Sequence, residues 1–187
     1  MSDKAQPSEK GHSETRKGNW PLWVGLALLA GLVVRVLEAA SWQHSFDSDA
    51  ATVQIMAKHI AEGRDFPVFF YGQPYMGSLE PAFSALLCRL FGTTSFVVAL
   101  GTALLGLLSL PLIYLWGRSA GGKRAGLLAM VFCIVGSNSF LFHSVMPRGG
   151  YMTMLVCGLL VVWLASRIVA NRSKDRPVPM LEYAAMG

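Results

Sequence analysis

From Gly92 to Gly117 the chain carries no charged side chain, only aliphatic, aromatic and small residues with an occasional hydroxyl. At about 1.5 Å per residue, a helical run of this length crosses a hydrocarbon core of about 30 Å. Inside lipid a chain must satisfy its own backbone polar groups, so the choice lies between a helix and a closed barrel. The apolar runs lack the alternation of a barrel strand, which leaves helices. Comparable runs occupy roughly 20–40, 95–117, 124–143 and 150–167, and a fifth begins near Met180. With 53% hydrophobic and 14% charged residues, the expected class is an all-α polytopic transmembrane helix bundle. The fifth run is cut off at Gly187, so the chain reads as the N-terminal portion of a longer membrane protein. A signal peptide is not expected, because the first run is long and follows a polar tail of about twenty residues.

Orientation follows from Lys and Arg rather than from net charge. The tail holds Lys4, Lys10, Arg16 and Lys17; the link after the second run holds Arg118, Lys123 and Arg124; the stretch after the fourth holds Arg167, Arg172, Lys174 and Arg176. Placing these three on the cytoplasmic side gathers eleven of the sixteen basic residues there. Residues 1–19 then form a disordered cytoplasmic tail, 41–94 form a first outer loop, and the protein is a multi-pass component of the plasma (inner) membrane. Leu79–Phe91 is apolar but short and carries Glu80 and Arg89. Counting it as a crossing reverses the charge bias, so it is expected to lie in the outer interface. Within the first run, Arg35 and Glu38 are one turn apart and are expected to pair near the interface.

The net charge of +5 does not signal nucleic acid. The basic residues are spread over membrane-flanking loops, and no recognition motif accompanies them. Membrane lipids are the expected surroundings, with the tail lysines facing anionic headgroups. Three cysteines without CxxC spacing argue against a metal cluster or disulfide framework; Cys88, Cys133 and Cys157 read as small buried apolar residues.

The first outer loop gathers the polar chemistry. Asp47-Ser48-Asp49 precedes a segment through Glu62 in which Val53, Met56, Ala57 and Ile60 recur at helical spacing, and Gly63 ends it. Ser48 or Asp49 is expected to cap this amphipathic helix, and a cap also holds a carboxylate rigid beside the positive end of the helix dipole. Asp-x-Asp can hold a divalent cation against a diphosphate, but the triplet is weak evidence. Two neighbouring carboxylates supply few ligands to a hard cation, so no cofactor is expected beyond at most a weak divalent cation at Asp47/Asp49. The block FPVFFYGQPYMGSLEP, residues 66–81, follows. An interfacial belt accounts for its phenylalanines. It does not account for Gln73 and Glu80, because unpaired polar groups near lipid are costly. Aromatic faces combined with amide and carboxylate groups suit a sugar.

In its order of elements the chain resembles the N-terminal part of the integral-membrane C-type-fold glycosyltransferases, closest to the protein mannosyltransferase and aminoarabinose transferase branch. The residues that carry the resemblance are Asp49, the helix through Gly63, Tyr71-Gly72-Gln73-Pro74-Tyr75, Glu80-Pro81 and Phe91-Gly92. Many members of that branch read Ser-Asp-Glu-Ala where this chain has Ser48-Asp49-Ala50-Ala51, so the second acid is absent and Asp47 is its nearest replacement. The resemblance implies transfer of a sugar from a lipid-linked, polyprenyl-phosphate donor to an acceptor on the extracytoplasmic face. It makes Asp49 the catalytic base or the group that orients the acceptor, with Asp47, Tyr71, Gln73, Tyr75 and Glu80 around the sugar or acceptor. Arg148, in the second outer loop HSVMPRGGYM, suits the donor phosphate, although a snorkelling interfacial arginine is the competing reading.

Two other classes compete: a transporter or flippase subunit, and a non-catalytic remnant of a transferase. Transporters place ionisable groups and broken helices at midmembrane, whereas here the runs are uncharged through their centres and polarity is concentrated in one loop.

Overall fold

The computed structural model describes residues 19–42, 44–45 and 47–172. The expected tail and fifth span therefore fall outside the described residues. Six helices are present: α1 (Trp20–Trp42), α2 (Ser48–Ala61), α3 (Leu79–Phe91), α4 (Ser95–Val135), α5 (Asn138–Val145) and α6 (Tyr151–Arg172). Among the described residues there is no strand, only an isolated bridge between Phe69 and Gly77. The protein is an all-α, multi-pass membrane bundle, and α1, α4 and α6 are long and apolar enough to cross.

α4 is a hairpin of two arms rather than one rod. Its backbone leaves helical geometry at Gly121 and Gly122. Gly122 has φ +79, a region in which only glycine is unstrained. Gly117 and Gly126 then meet across the turn, so closely that a Cβ on Gly126 would lie 2.5 Å from the Tyr114 carbonyl oxygen. The arms zip through Leu110, Tyr114, Met130 and Ile134, with Ala27 of α1 in the same cluster. Buried along 56% of its most apolar stretch, against 22% for α1 and 17% for α6, α4 is the hub. The outward leucines and valines of α1 and α6 are left for lipid.

The apolar run at 124–143 is not a single helix. The second arm of α4 ends at Val135, Gly136 breaks it with φ −4 and ψ 173, and α5 starts afresh. The Ser137 hydroxyl accepts the Phe140 N–H at 3.2 Å to cap α5. A Gly-Ser-Asn-Ser interruption supplies both the break and the new cap.

α1 corrects one expectation. Ala27, Gly31, Arg35 and Ala39 recur every four residues and form its buried face. Arg35 therefore turns into the bundle, fully buried, where Nη1 reaches the Gly31 carbonyl at 3.4 Å. Glu38 instead accepts the Trp42 indole N–H at 3.0 Å, so the Arg35–Glu38 pair does not form. Cys88 is buried as expected, but Cys133 is half-buried and Cys157 is exposed.

The first arm of α4, from Ser95 to the Gly121 break, is roughly 40 Å long at 1.5 Å per residue, longer than a bilayer core of about 30 Å. That excess length gives α2 and α3 a surface to pack on. Val53, Met56 and Ala57 of α2 and Ala85 and Cys88 of α3 form one core with Val97 and Val98 of α4. α3 runs antiparallel to α4, with the Ser84 hydroxyl donating to the Val98 carbonyl at 3.3 Å. At about 20 Å, α3 is too short to cross.

Candidate active site

At the α2–α3 end of the bundle, three ionisable side chains from distant parts of the sequence converge. The cap of α2 lies one residue before the first of the two expected. Asp47, extended at φ −89 and ψ −176, is the N-cap, and its side chain accepts the Ala50 N–H. The distance is 2.9 Å, to Oδ1. Neither Ser48 nor Asp49 caps; both lie in the first turn. Oδ2 of Asp47 pairs with Nη2 of Arg148 at 2.5 Å, with side-chain exposures of 36% and 29%. Capping and pairing therefore use different oxygens of one carboxylate, and they tie the start of α2 to the loop between α5 and α6.

Arg148 is held at several points. Its backbone N–H donates to Glu80 Oε1 at 3.1 Å, and its guanidinium lies 5.1 Å from the centre of the Phe142 ring, a cation–π distance. Its Nε is buried without a hydrogen-bond partner among the described residues. The loop passes close by because the next residue is glycine. Gly149 has φ +73, and a Cβ there would lie 2.6 Å from the Phe70 ring.

Glu80 is 1% exposed. Its Oε1 accepts both the Arg148 amide and the Thr102 hydroxyl, the latter at 3.0 Å, while Oε2 has no partner among the described residues. Burial pushes this carboxyl above the usual carboxylate range, and the bonds from the Thr102 hydroxyl and the Arg148 N–H, with the influence of the nearby Gly150 backbone, offset the shift in part. Thr102 went unremarked in the sequence; its signal was a lone hydroxyl one turn before the close-packed Gly106.

The remaining predicted residues are arranged around a folded loop. Phe70 N–H bonds to the Met76 carbonyl at 2.8 Å and Ser78 N–H to Val68 at 3.2 Å, with Gly72 at φ +77 at the tip. Tyr71 donates its phenol proton to Asp65 at 2.8 Å and accepts from His59 Nδ1 at 3.0 Å. Its hydroxyl thus braces the loop against α2 and is already engaged. The Gln73 N–H closes the tight turn by donating to the Phe70 carbonyl at 3.0 Å, and its Oε1 is buried without a partner among the described residues. Tyr75 is 75% exposed and forms one wall of a cleft of about 460 Å³ with Met76, Leu79, Gly150, Tyr151 and Met154. The cleft is mostly apolar and lies beside Glu80 and Arg148 in sequence and space.

Asp49 is half-buried in the first turn of α2. No hydrogen bond or ion pair engages its carboxylate among the described residues. No group of three or more His, Cys, Asp or Glu side chains able to hold a metal exists among the described residues, and both oxygens of Asp47 are taken.

No curated protein and no solved structure matches the chain. Residues 76–185, more than half of it, match the family described as dolichyl-phosphate-mannose-protein mannosyltransferase. The matched stretch contains Glu80, Thr102 and Arg148 and begins after Asp47 and Asp49.

Proposed function

The chain belongs to the dolichyl-phosphate-mannose-protein mannosyltransferase family, membrane glycosyltransferases of the mannosyltransferase type, and on that premise we propose that it moves a sugar from a polyprenyl-phosphate donor to an acceptor on the extracytoplasmic face. The observation that carries this reading is the convergence of Asp47, Arg148 and Glu80 beside an apolar cleft, with Asp49, whose carboxylate has no partner among the described residues, in the first turn of α2. A lipid-linked sugar phosphate has matching parts: an apolar chain for the cleft, a phosphate for a guanidinium, and an anomeric carbon within reach of a base.

In this mechanism Asp49 takes the proton from an acceptor hydroxyl or amine as that atom attacks the anomeric carbon. The bond from that carbon to the phosphate oxygen breaks with inversion, and the polyprenyl phosphate leaves with the electron pair. Arg148, held in place by Asp47 and Glu80, faces the charge that grows on the phosphate. No step requires a metal, because both partners of the proton transfer are organic groups and Arg148 supplies the cation.

A transport reading gains one observation, the break at Gly136–Ser137 within the apolar run of the third crossing, since broken helices mark many transporter sites. One experiment separates the two. Sealed vesicles containing the protein are given radiolabelled polyprenyl-phosphate mannose, and the label is followed. Appearance of label in a new glycosidic bond supports the transferase; movement of intact lipid-linked sugar between leaflets with no new bond overturns it.

A further inference from the structure

Glu80 is a fully buried acid with an asymmetric set of partners. Oε1 takes the Thr102 hydroxyl and the Arg148 amide, while Oε2 takes nothing among the described residues. A carboxylate shares its charge over two oxygens, and leaving one of them buried and bare is costly. Among the described residues no salt bridge joins it to a cation, and the buried Arg35 guanidinium reaches the Gly31 carbonyl instead. The Arg148 guanidinium is turned to Asp47. The arm of α4 that bears Thr102 carries no charged residue before Arg118, and α6 carries none before Arg167. On α2, His59 is bound to Tyr71, Lys58 is exposed, and the Asp47 carboxylate is paired with Arg148.

We propose that Glu80 is held as the neutral acid, with its proton on Oε2, and that with Thr102 it acts as a positioning residue that fixes the backbone of Arg148 through Oε1. The positioning half rests on the transferase reading, in which Arg148 meets the donor phosphate. The protonation half does not, and the two are measured separately. Glutamine copies the neutral acid, because its carbonyl oxygen keeps the bonds from Thr102 and Arg148 and its amide replaces the hydroxyl. Thr102→Val keeps the shape of the threonine and removes the donor.

Protonation is read by infrared spectroscopy of the wild-type protein at neutral pH. The proposal expects a carbonyl band of a protonated carboxyl that is absent from Glu80→Gln; no such band overturns it. A second readout is the difference in stability between wild type and Glu80→Gln as pH changes. An acid that holds its proton more tightly when folded favours folding at low pH and loses that advantage as pH rises above its ordinary value of 4.5. Wild type should therefore weaken relative to Glu80→Gln as pH rises from about that value; the opposite slope overturns the neutral acid.

Positioning is read by kinetics. Glu80→Gln should transfer at close to the wild-type rate, while Glu80→Ala and Thr102→Val raise KM for the donor more than they lower kcat. A loss of about 10²-fold or more in Glu80→Gln would make the carboxylate itself the working group and overturn the proposal. If no variant transfers, including a wild type that shows the infrared band, the transferase reading fails and the neutral acid stands.

Discussion

Asp47 performs two tasks with two oxygens, and substitutions there should separate them. Oδ1 caps α2 at 2.9 Å from the Ala50 nitrogen, a bond whose loss costs about 1 kcal/mol. Oδ2 pairs with Arg148 across 101 residues of sequence. With about a third of each side chain exposed, that pair contributes about 0.2 to 1 kcal/mol. Asn caps as well as Asp but turns an amide toward the guanidinium, so Asp47→Asn should lose the pair alone, at most about 1 kcal/mol. Asp47→Ala should lose both, totalling about 1.2 to 2 kcal/mol. The assay is unfolding of the purified protein in detergent, followed by helical circular dichroism, in wild type, both variants, Arg148→Met and the double variant Asp47→Asn/Arg148→Met. Asp47→Asn and Arg148→Met should be less than additive, because they break the same contact. Equal destabilisation by Asn and Ala would refute the cap, and full additivity in the double variant would refute the tie between α2 and the α5–α6 loop.

Cysteine probes should be labelled from the extracytoplasmic side at Ser48 and Tyr151 and spared at Lys123; labelling of Lys123 from that side would reverse the topology of the hairpin. Transfer should survive chelation, since Asp47 is engaged by Ala50 and Arg148; activity lost with chelator and restored by Mg²⁺ or Mn²⁺ would show a metal site. Arg35 is fully buried with Nε and Nη2 unpartnered among the described residues, and apolar replacements of buried charges are often neutral or stabilising by about 1 to 4 kcal/mol. Arg35→Met should therefore unfold no earlier than wild type in detergent; a clear loss of stability would reveal a partner for the guanidinium.

Much of the fold is local and so was legible. Leu79–Phe91 reads as a helix because Gly77-Ser78 precedes it and Gly92, at φ +81, ends it. The helix from Ser48 ends at Ala61, capped by Glu62, and Gly63, at φ +69, turns the chain away just beyond it. Capping was displaced by one residue because Asp47, Ser48 and Asp49 all have capping side chains, and only backbone direction chooses among them. The inward turn of Arg35 was written in the four-residue repeat of Ala27, Gly31 and Ala39, but the nearness of Glu38 was the louder signal. The break at Gly136 lay inside a run whose average hydropathy hid four consecutive small or polar residues. The central cluster was out of reach, because Arg148 meets Glu80 and Asp47 at separations of 68 and 101 residues. Composition flagged each of the three residues; only the hairpin of α4 and the return of the chain through α5 bring them together.

The central claim is that Asp49 is the base, and the structure sharpens its test by giving the cap to Asp47. Asp49→Asn removes a proton acceptor and disturbs no hydrogen bond found among the described residues, so it should unfold like wild type. In membranes supplied with a polyprenyl-phosphate sugar and its acceptor, its transfer rate should fall about 10² to 10⁴-fold, the usual contribution of a general base. Transfer by Asp49→Asn at close to the wild-type rate would contradict the account.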